Sequence, residues 1–142
     1  MVKLFLSRGV HLKALIIGLA IIIGSSLTPG AGRAERVGTK RTELQRHDLS
    51  ASGREVVQVR VDLDPAAVSP KHTHPGEEVI YVLQGAIEYQ VEGQPTRVYK
   101  AGDVLMIPAR AVHTARNVGS VEAAELATYI VEKDKQLVEL VK

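Results

Sequence analysis

The chain contains no cysteine in 142 residues. Disulfides are excluded, and so are thiolate ligands, so any metal has to be held by nitrogen and oxygen. A domain of about a hundred residues can still fold on one modest core without disulfides. Tryptophan is also absent, and aromatic residues make up only 4%. With no basic stripe and no aromatics interleaved with one, nucleic-acid binding has no support. No uninterrupted apolar run reaches the ~20 residues needed to span hydrocarbon. Sustained helical periodicity, internal repeats and low-complexity segments are likewise missing.

Acidic residues are absent from the first 34 positions, where Lys3, Arg8, Lys13 and Arg33 all lie. A basic start, the apolar stretch Ala14 to Leu27 and the small-residue segment Pro29 to Ala34 describe a secretory signal peptide ending at Ala34. The competing reading is an uncleaved membrane anchor, the one way in which a membrane would enter. Without residues 1–34, fourteen of the 18 Lys and Arg remain against all 16 acids, so the +2 of the whole chain becomes −2. No twin-arginine pair precedes the apolar stretch. Export as an unfolded chain, to a periplasm or beyond, with metal loading afterwards is the expectation.

What is present is a concentration of histidine. Of five histidines, His72, His74 and His113 fall in the segment with strand patterning. On a strand, period-two alternation points His72 and His74 to one face and Thr73 away. Glu78 follows the Pro75-Gly76 turn and can begin the next strand facing the same cavity. Three imidazoles and a carboxylate suit one divalent first-row ion, Mn, Fe, Co, Ni, Cu or Zn. Proton competition for the imidazoles predicts that affinity falls as pH drops through ~6.5.

Residues 35–53 are polar and show neither alternation nor helical spacing. They read as an arm leading into the domain, with a disordered tail or a strand exchanged with a neighbouring subunit as alternatives. From Arg54 to the end the pattern is β. Val57, Val59, Val61 and Leu63 alternate with Gln58, Arg60 and Asp62, and Asp64-Pro65 closes the strand. Val79 to Leu83, Ile87 to Val91, Thr96 to Tyr99, Val104 to Ile107, Ala111 to Arg116 and Ala123 to Val131 follow, with Leu137 to Val141 as a last short strand. Turn signals every eight to twelve residues predict an all-β antiparallel sandwich or barrel over 54–142.

These residues resemble the cupin superfamily. Its first motif is a glycine, five residues, His-x-His, three or four residues, Glu, six residues and a glycine; His72, His74, Glu78 and Gly85 match. Its second is a glycine, five residues, Pro-x-Gly, two residues, His, three residues and Asn; Gly102, Pro108, His113 and Asn117 match. Ala66 and Arg110 replace the leading glycine of the first motif and the inner glycine of the second. The resemblance covers roughly Val56 to Val131 and implies an antiparallel double-stranded β-helix, or jelly-roll barrel. It selects Glu78 over Glu77 as the inward carboxylate and His72, His74, Glu78 and His113 as the metal ligands.

The departures leave the ligands untouched. Ala66 suggests a gentler first turn, or stiffness supplied by Pro65. Arg110 is either a solvated surface arginine or a guard of the pocket that pairs with an anionic substrate. Asn117 either fixes the local turn or is a solvated amide. Alternation from Glu78 puts Ile80 and Val82 inside with Tyr81 outside, and Tyr89, Gln90 and Met106 are candidate pocket residues.

The resemblance further implies that a cupin with all four ligands uses its metal for chemistry on a small organic substrate, as a dioxygenase or as a lyase, decarboxylase or isomerase. The alternative is a non-catalytic module that captures a small molecule or metal ion. A sugar-nucleotide isomerase fits less well, because export separates the chain from nucleotide sugars. By the same resemblance a homodimer is expected, with strand Val57 to Leu63 and the 35–53 arm as contributors.

Overall fold

The computed structural model describes residues 38–141, and the expected signal peptide at 1–34 lies outside them. Ten strands follow in order: β1 Thr39–Asp48, β2 Arg54–Leu63, β3 His72–Thr73, β4 Gly76–Gln84, β5 Ala86–Val91, β6 Arg97–Lys100, β7 Val104–Ile107, β8 His113–Asn117, β9 Ala123–Glu132 and β10 Glu139–Leu140. They pair antiparallel into two five-stranded sheets, β1-β2-β9-β4-β7 and β10-β3-β8-β5-β6. The described residues hold no helix.

Alternation explains the packing. On β2, Val57, Val59, Val61 and Leu63 are buried, while the residues between them are partly exposed. On β4, Glu78, Ile80 and Val82 point inward and Val79, Tyr81 and Leu83 outward, as the alternation predicts. Register then stacks these side chains in rows across the first sheet. One row runs Val57, Tyr129, Glu78, Ile107, and the next Val59, Ala127, Ile80, Leu105. A third runs Val61, Glu125, Val82. Each fully buried Val, Leu or Ile stabilises the fold by roughly 1.5–3 kcal/mol. The charged residues in these rows stand out against that apolar background.

Residues 39–48, read from sequence as an arm without strand pattern, form β1 instead. This strand pairs with β2 of the same chain from Thr39 opposite Leu63 to Asp48 opposite Glu55, with a bulge between Glu43 and Gln45. Every residue of β1 is exposed. An edge strand that buries neither face needs no hydrophobic alternation; the ladder to β2 holds it. That ladder also makes β2 an interior strand of its sheet.

Both replaced motif glycines keep a glycine's backbone. Ala66 has φ +64° and Arg110 φ +61°, so the first turn is as tight as glycine would make it. Asn117 is 2% exposed and fixes its turn: its Nδ2 donates to the carbonyls of Leu63, Asp64 and Val121 at 2.8–3.1 Å, and its Oδ1 accepts from Gly119 N. At Gly76 a side chain is excluded, because a Cβ there would collide with the carbonyl oxygen of Ile130. The close approach of β4 to β9 therefore depends on the glycine between His74 and Glu78.

Candidate metal centre

The sheets bring the predicted histidines together. His72 on β3 and His113 on β8 are direct cross-strand partners, and His74 follows β3 at the start of the turn into β4. Ring centroids lie 4.2 Å apart for His72 and His113, 4.9 Å for His72 and His74, and 5.0 Å for His74 and His113. One nitrogen from each ring falls within 4.8 Å of the others, a cluster able to hold a metal ion. All three histidines are buried, and so is Glu78. The Glu78 Oε2 lies 3.1 Å from His74 Nε2 and 3.3 Å from His113 Nε2. Glu77 is only partly buried and faces away from this group.

Hydrogen bonding settles how each ring presents itself. The Nδ1 atoms of His72, His74 and His113 sit 2.7, 2.6 and 3.0 Å from the carbonyl oxygens of Pro70, Leu137 and Ala111. A carbonyl can only accept, so each Nδ1 carries a proton and, in the neutral ring, Nε2 keeps its lone pair. Backbone carbonyls of this kind fix the tautomer of metal-ligating histidines. His74 Nε2 and Glu78 Oε2 are buried without any hydrogen-bond partner. Lone pairs facing one another in a buried site are costly unless a cation lies between them, and the donor set of imidazole and carboxylate fits a divalent first-row ion.

Electrostatics follow from burial. Desolvation pushes the His72 imidazole down from 6.5 to about 4, with the neighbouring His113 and His74 adding to the shift and the Pro70 carbonyl and Glu78 opposing it. For Glu78, burial alone would raise the pKa, but His113 and His74 in their protonated form, donating to it with no cation between them, would outweigh burial and hold the carboxyl below the usual range.

Four further polar side chains stand beside the cluster. Tyr129 is the cross-strand partner of Glu78 and meets the His74 ring edge to face, with centroids 4.7 Å apart. Its hydroxyl accepts from Arg41 Nη2 at 2.6 Å. Glu125, 4% exposed, accepts from the Tyr89 hydroxyl at 2.6 Å. Burial and the charge of Glu78 push its carboxyl up to about 8, against the opposing effects of Tyr89 and Arg41. A cavity of about 20 Å³, room for about one water, is lined by residues that include Arg41, His72, Glu78, Tyr89, His113 and Glu125.

Sequence reasoning passed over Glu125, Tyr129 and Arg41. The signal for the first two was legible: Ala123, Glu125, Ala127, Tyr129 and Val131 alternate inward on β9, so a carboxyl stood at a core position. Arg41 carried no such signal, because β1 has no buried face. Of the three candidate pocket residues, Tyr89 does point inward, whereas Gln90 is exposed and Met106 is 59% exposed on the outer face of β7. Arg110 does not line the cavity; it is exposed and pairs with Glu132 at 3.1 Å and Glu139 at 3.8 Å.

Two antiparallel sheets enclosing a histidine cluster carried by neighbouring strands of one sheet define a jelly-roll barrel with a potential metal site. The chain belongs to the cupin domain family, whose model matches residues 59–130. It is similar to Germin-like protein 1 of Brassica napus, with 37% identity over 83 residues covering 55% of this chain and 40% of that protein. The chain thus spans less than half the length of the curated relatives it matches. Among solved structures it resembles an oxalate oxidase in complex with the substrate analogue glycolate, at TM-score 0.61 and 26% identity, over 88% of this chain and 66% of that one. A cupin-like protein of Thermotoga maritima aligns at TM-score 0.60 and 25% identity, over 72% of this chain and 75% of that one.

Proposed function

We propose that this chain holds one divalent transition metal through His72, His74, His113 and Glu78 and acts as a metalloenzyme on a small organic molecule. The observation that carries this reading is the set of Nδ1 protons committed to the carbonyls of Pro70, Leu137 and Ala111, which leaves three Nε2 lone pairs beside an unpartnered Glu78 oxygen. A metal bound there would supply Lewis-acid polarisation, or redox chemistry if it is Fe, Ni, Cu or Mn. The chain's own contributions are distinct. Ile80, Val82 and Ile107 exclude water from behind the site, Tyr129 abuts His74, and Glu125 can give or take a proton at its carboxyl. A dioxygenase or a lyase, decarboxylase or isomerase fits this equipment, and the likeness to an oxalate oxidase supports a small polar substrate.

Export through the N-terminal segment, to a periplasm or the exterior, belongs to the same proposal. So does homodimerisation. The outer face of the first sheet exposes Val79, Tyr81, Val104, Met106 and Ile130, an apolar surface that suits a second copy. Among the described residues no helix is long and apolar enough to cross a membrane.

The small cavity also suits a second reading, a non-catalytic module that keeps a metal ion or a very small ligand. Elemental analysis of protein made in its native compartment, followed by turnover assays on phenolics, oxo acids and short carboxylic acids, separates the two. About one metal per chain is expected from a single four-ligand site. Repeated preparations without metal would sink the proposal, and metal with binding but no turnover would favour the module.

A further inference from the structure

We infer that Arg41 is the specificity-determining residue of the cavity, the charge partner for the carboxylate of a small anionic substrate held beside the histidine cluster. This rests on the metal reading above and deepens it by naming the substrate class. Arg41 is the one Lys or Arg side chain lining the cavity among the described residues. It comes from edge strand β1, where it stands opposite Val61 in the row that continues to Glu125 and Val82.

It makes no direct ion pair, although Glu78 and Glu125 act on it through space. The guanidinium donates to the Tyr129 hydroxyl at 2.6 Å and lies 5.6 Å from that ring's centroid, both neutral contacts. No carboxylate within the described residues forms a salt bridge with it. The two carboxyls that line the cavity are otherwise engaged. Glu78 faces His74 and His113, and Glu125 accepts from the Tyr89 hydroxyl. Arg41 therefore adds a positive charge to a site that a divalent ion would make positive already, and a planar guanidinium matches a carboxylate with two parallel hydrogen bonds.

Geometry also sets the size of the ligand. A cavity of about 20 Å³ admits little as it stands. Arg41 is anchored on edge strand β1 and its guanidinium makes one hydrogen bond, to Tyr129, so turning it to an entering anion breaks that single contact. Short carboxylates are favoured over larger or neutral molecules.

The test is calorimetric titration of glycolate and its neutral counterpart glycolamide into Mn-loaded and metal-free protein, with metal content measured on each sample. Wild type is expected to bind glycolate at least about tenfold more tightly than glycolamide, the scale of one charge-assisted pair. Arg41→Gln should erase that preference while metal content stays unchanged. Arg41→Lys should keep part of it, and Lys40→Gln, on the same exposed strand, should keep all of it. An undiminished glycolate preference in metal-replete Arg41→Gln, or none in metal-replete wild type, overturns the inference. An Arg41-dependent preference in protein that takes up no metal would support Arg41's role and overturn the metal reading instead.

Discussion

His72 and His113 are direct cross-strand partners, with ring centroids 4.2 Å apart and each Nδ1 tied to a backbone carbonyl two residues earlier. Two imidazoles distant in the chain are thus held as one unit by the β3 to β8 register. Strands carry His72, His113 and Glu78, and the short turn between β3 and β4 carries His74, an arrangement that favours precise geometry.

Replacing His74 or His113 with Ala removes one of the converging nitrogens. Tight metal binding should be lost in both variants, by a factor of at least about a hundred in affinity. His47→Ala, on the exposed face of β1, should bind as wild type does. Metal content after dialysis, measured beside circular dichroism to confirm folding, decides whether these histidines are the ligands.

Burial holds His72 near 4, well under its ordinary 6.5, so protons compete for this ligand only as pH approaches that value. In metal-free protein followed by NMR between pH 7 and 4, the His72 ring should still be neutral at pH 6. A His72 midpoint near 6.5 would contradict the burial argument.

Glu125 carries the opposite consequence for stability. Its carboxyl, raised from 4.5 to about 8, keeps its proton in the folded chain where the unfolded chain has lost it. Its contribution is therefore fully present below about 4.5 and is lost progressively as pH rises through 8. Glu125→Gln retains an acceptor for Tyr89 without the charge. Denaturation should show the variant no more stable than wild type at pH 4, and more stable at pH 8 to 9 by an amount on the order of a few kcal/mol. A gap that does not grow with pH would rule this out.

Asn117 should prove structural. Asn117→Ala leaves the carbonyls of Leu63, Asp64 and Val121 without this donor and should cost about 2–3 kcal/mol in urea denaturation. Asn117→Asp replaces the donating amide with an acceptor and should be at least as damaging. Wild-type stability in both would show that water replaces the amide freely.

Ala66 offers a gain. Its φ of +64° is strained for alanine and relaxed for glycine. After the entropy that glycine adds to the unfolded chain, Ala66→Gly should stabilise by about 0.5–1 kcal/mol. Arg110→Gly should gain less, since it also removes the pairing with Glu132 and Glu139. Both are read from denaturation midpoints.

The strands that bury one face were legible because burial writes a period of two into the chain. Val57 to Leu63 and Ile87 to Val91 show it, whereas Val79 to Leu83 was legible as an apolar run of strand length. The ligands were legible for a related reason: His72 and His74 share a face by local geometry, and the spacing to Glu78 and His113 recurs with the barrel's turns. β1 was hidden because an edge strand with two exposed faces leaves no such mark. Ala66 was misread because a residue's identity does not by itself state its φ.

The amino-acid sequence by itself determined the β class, the turns, the absence of thiolate chemistry and the histidines that meet. These follow from alternation, turn chemistry and composition, properties of neighbours along the chain. Only the tertiary structure decided that Tyr129 stands opposite Glu78, that Glu125 is buried against Tyr89, and that Arg41 reaches the cavity from an exposed edge. Those relations depend on register between strands far apart in sequence, which no local pattern specifies.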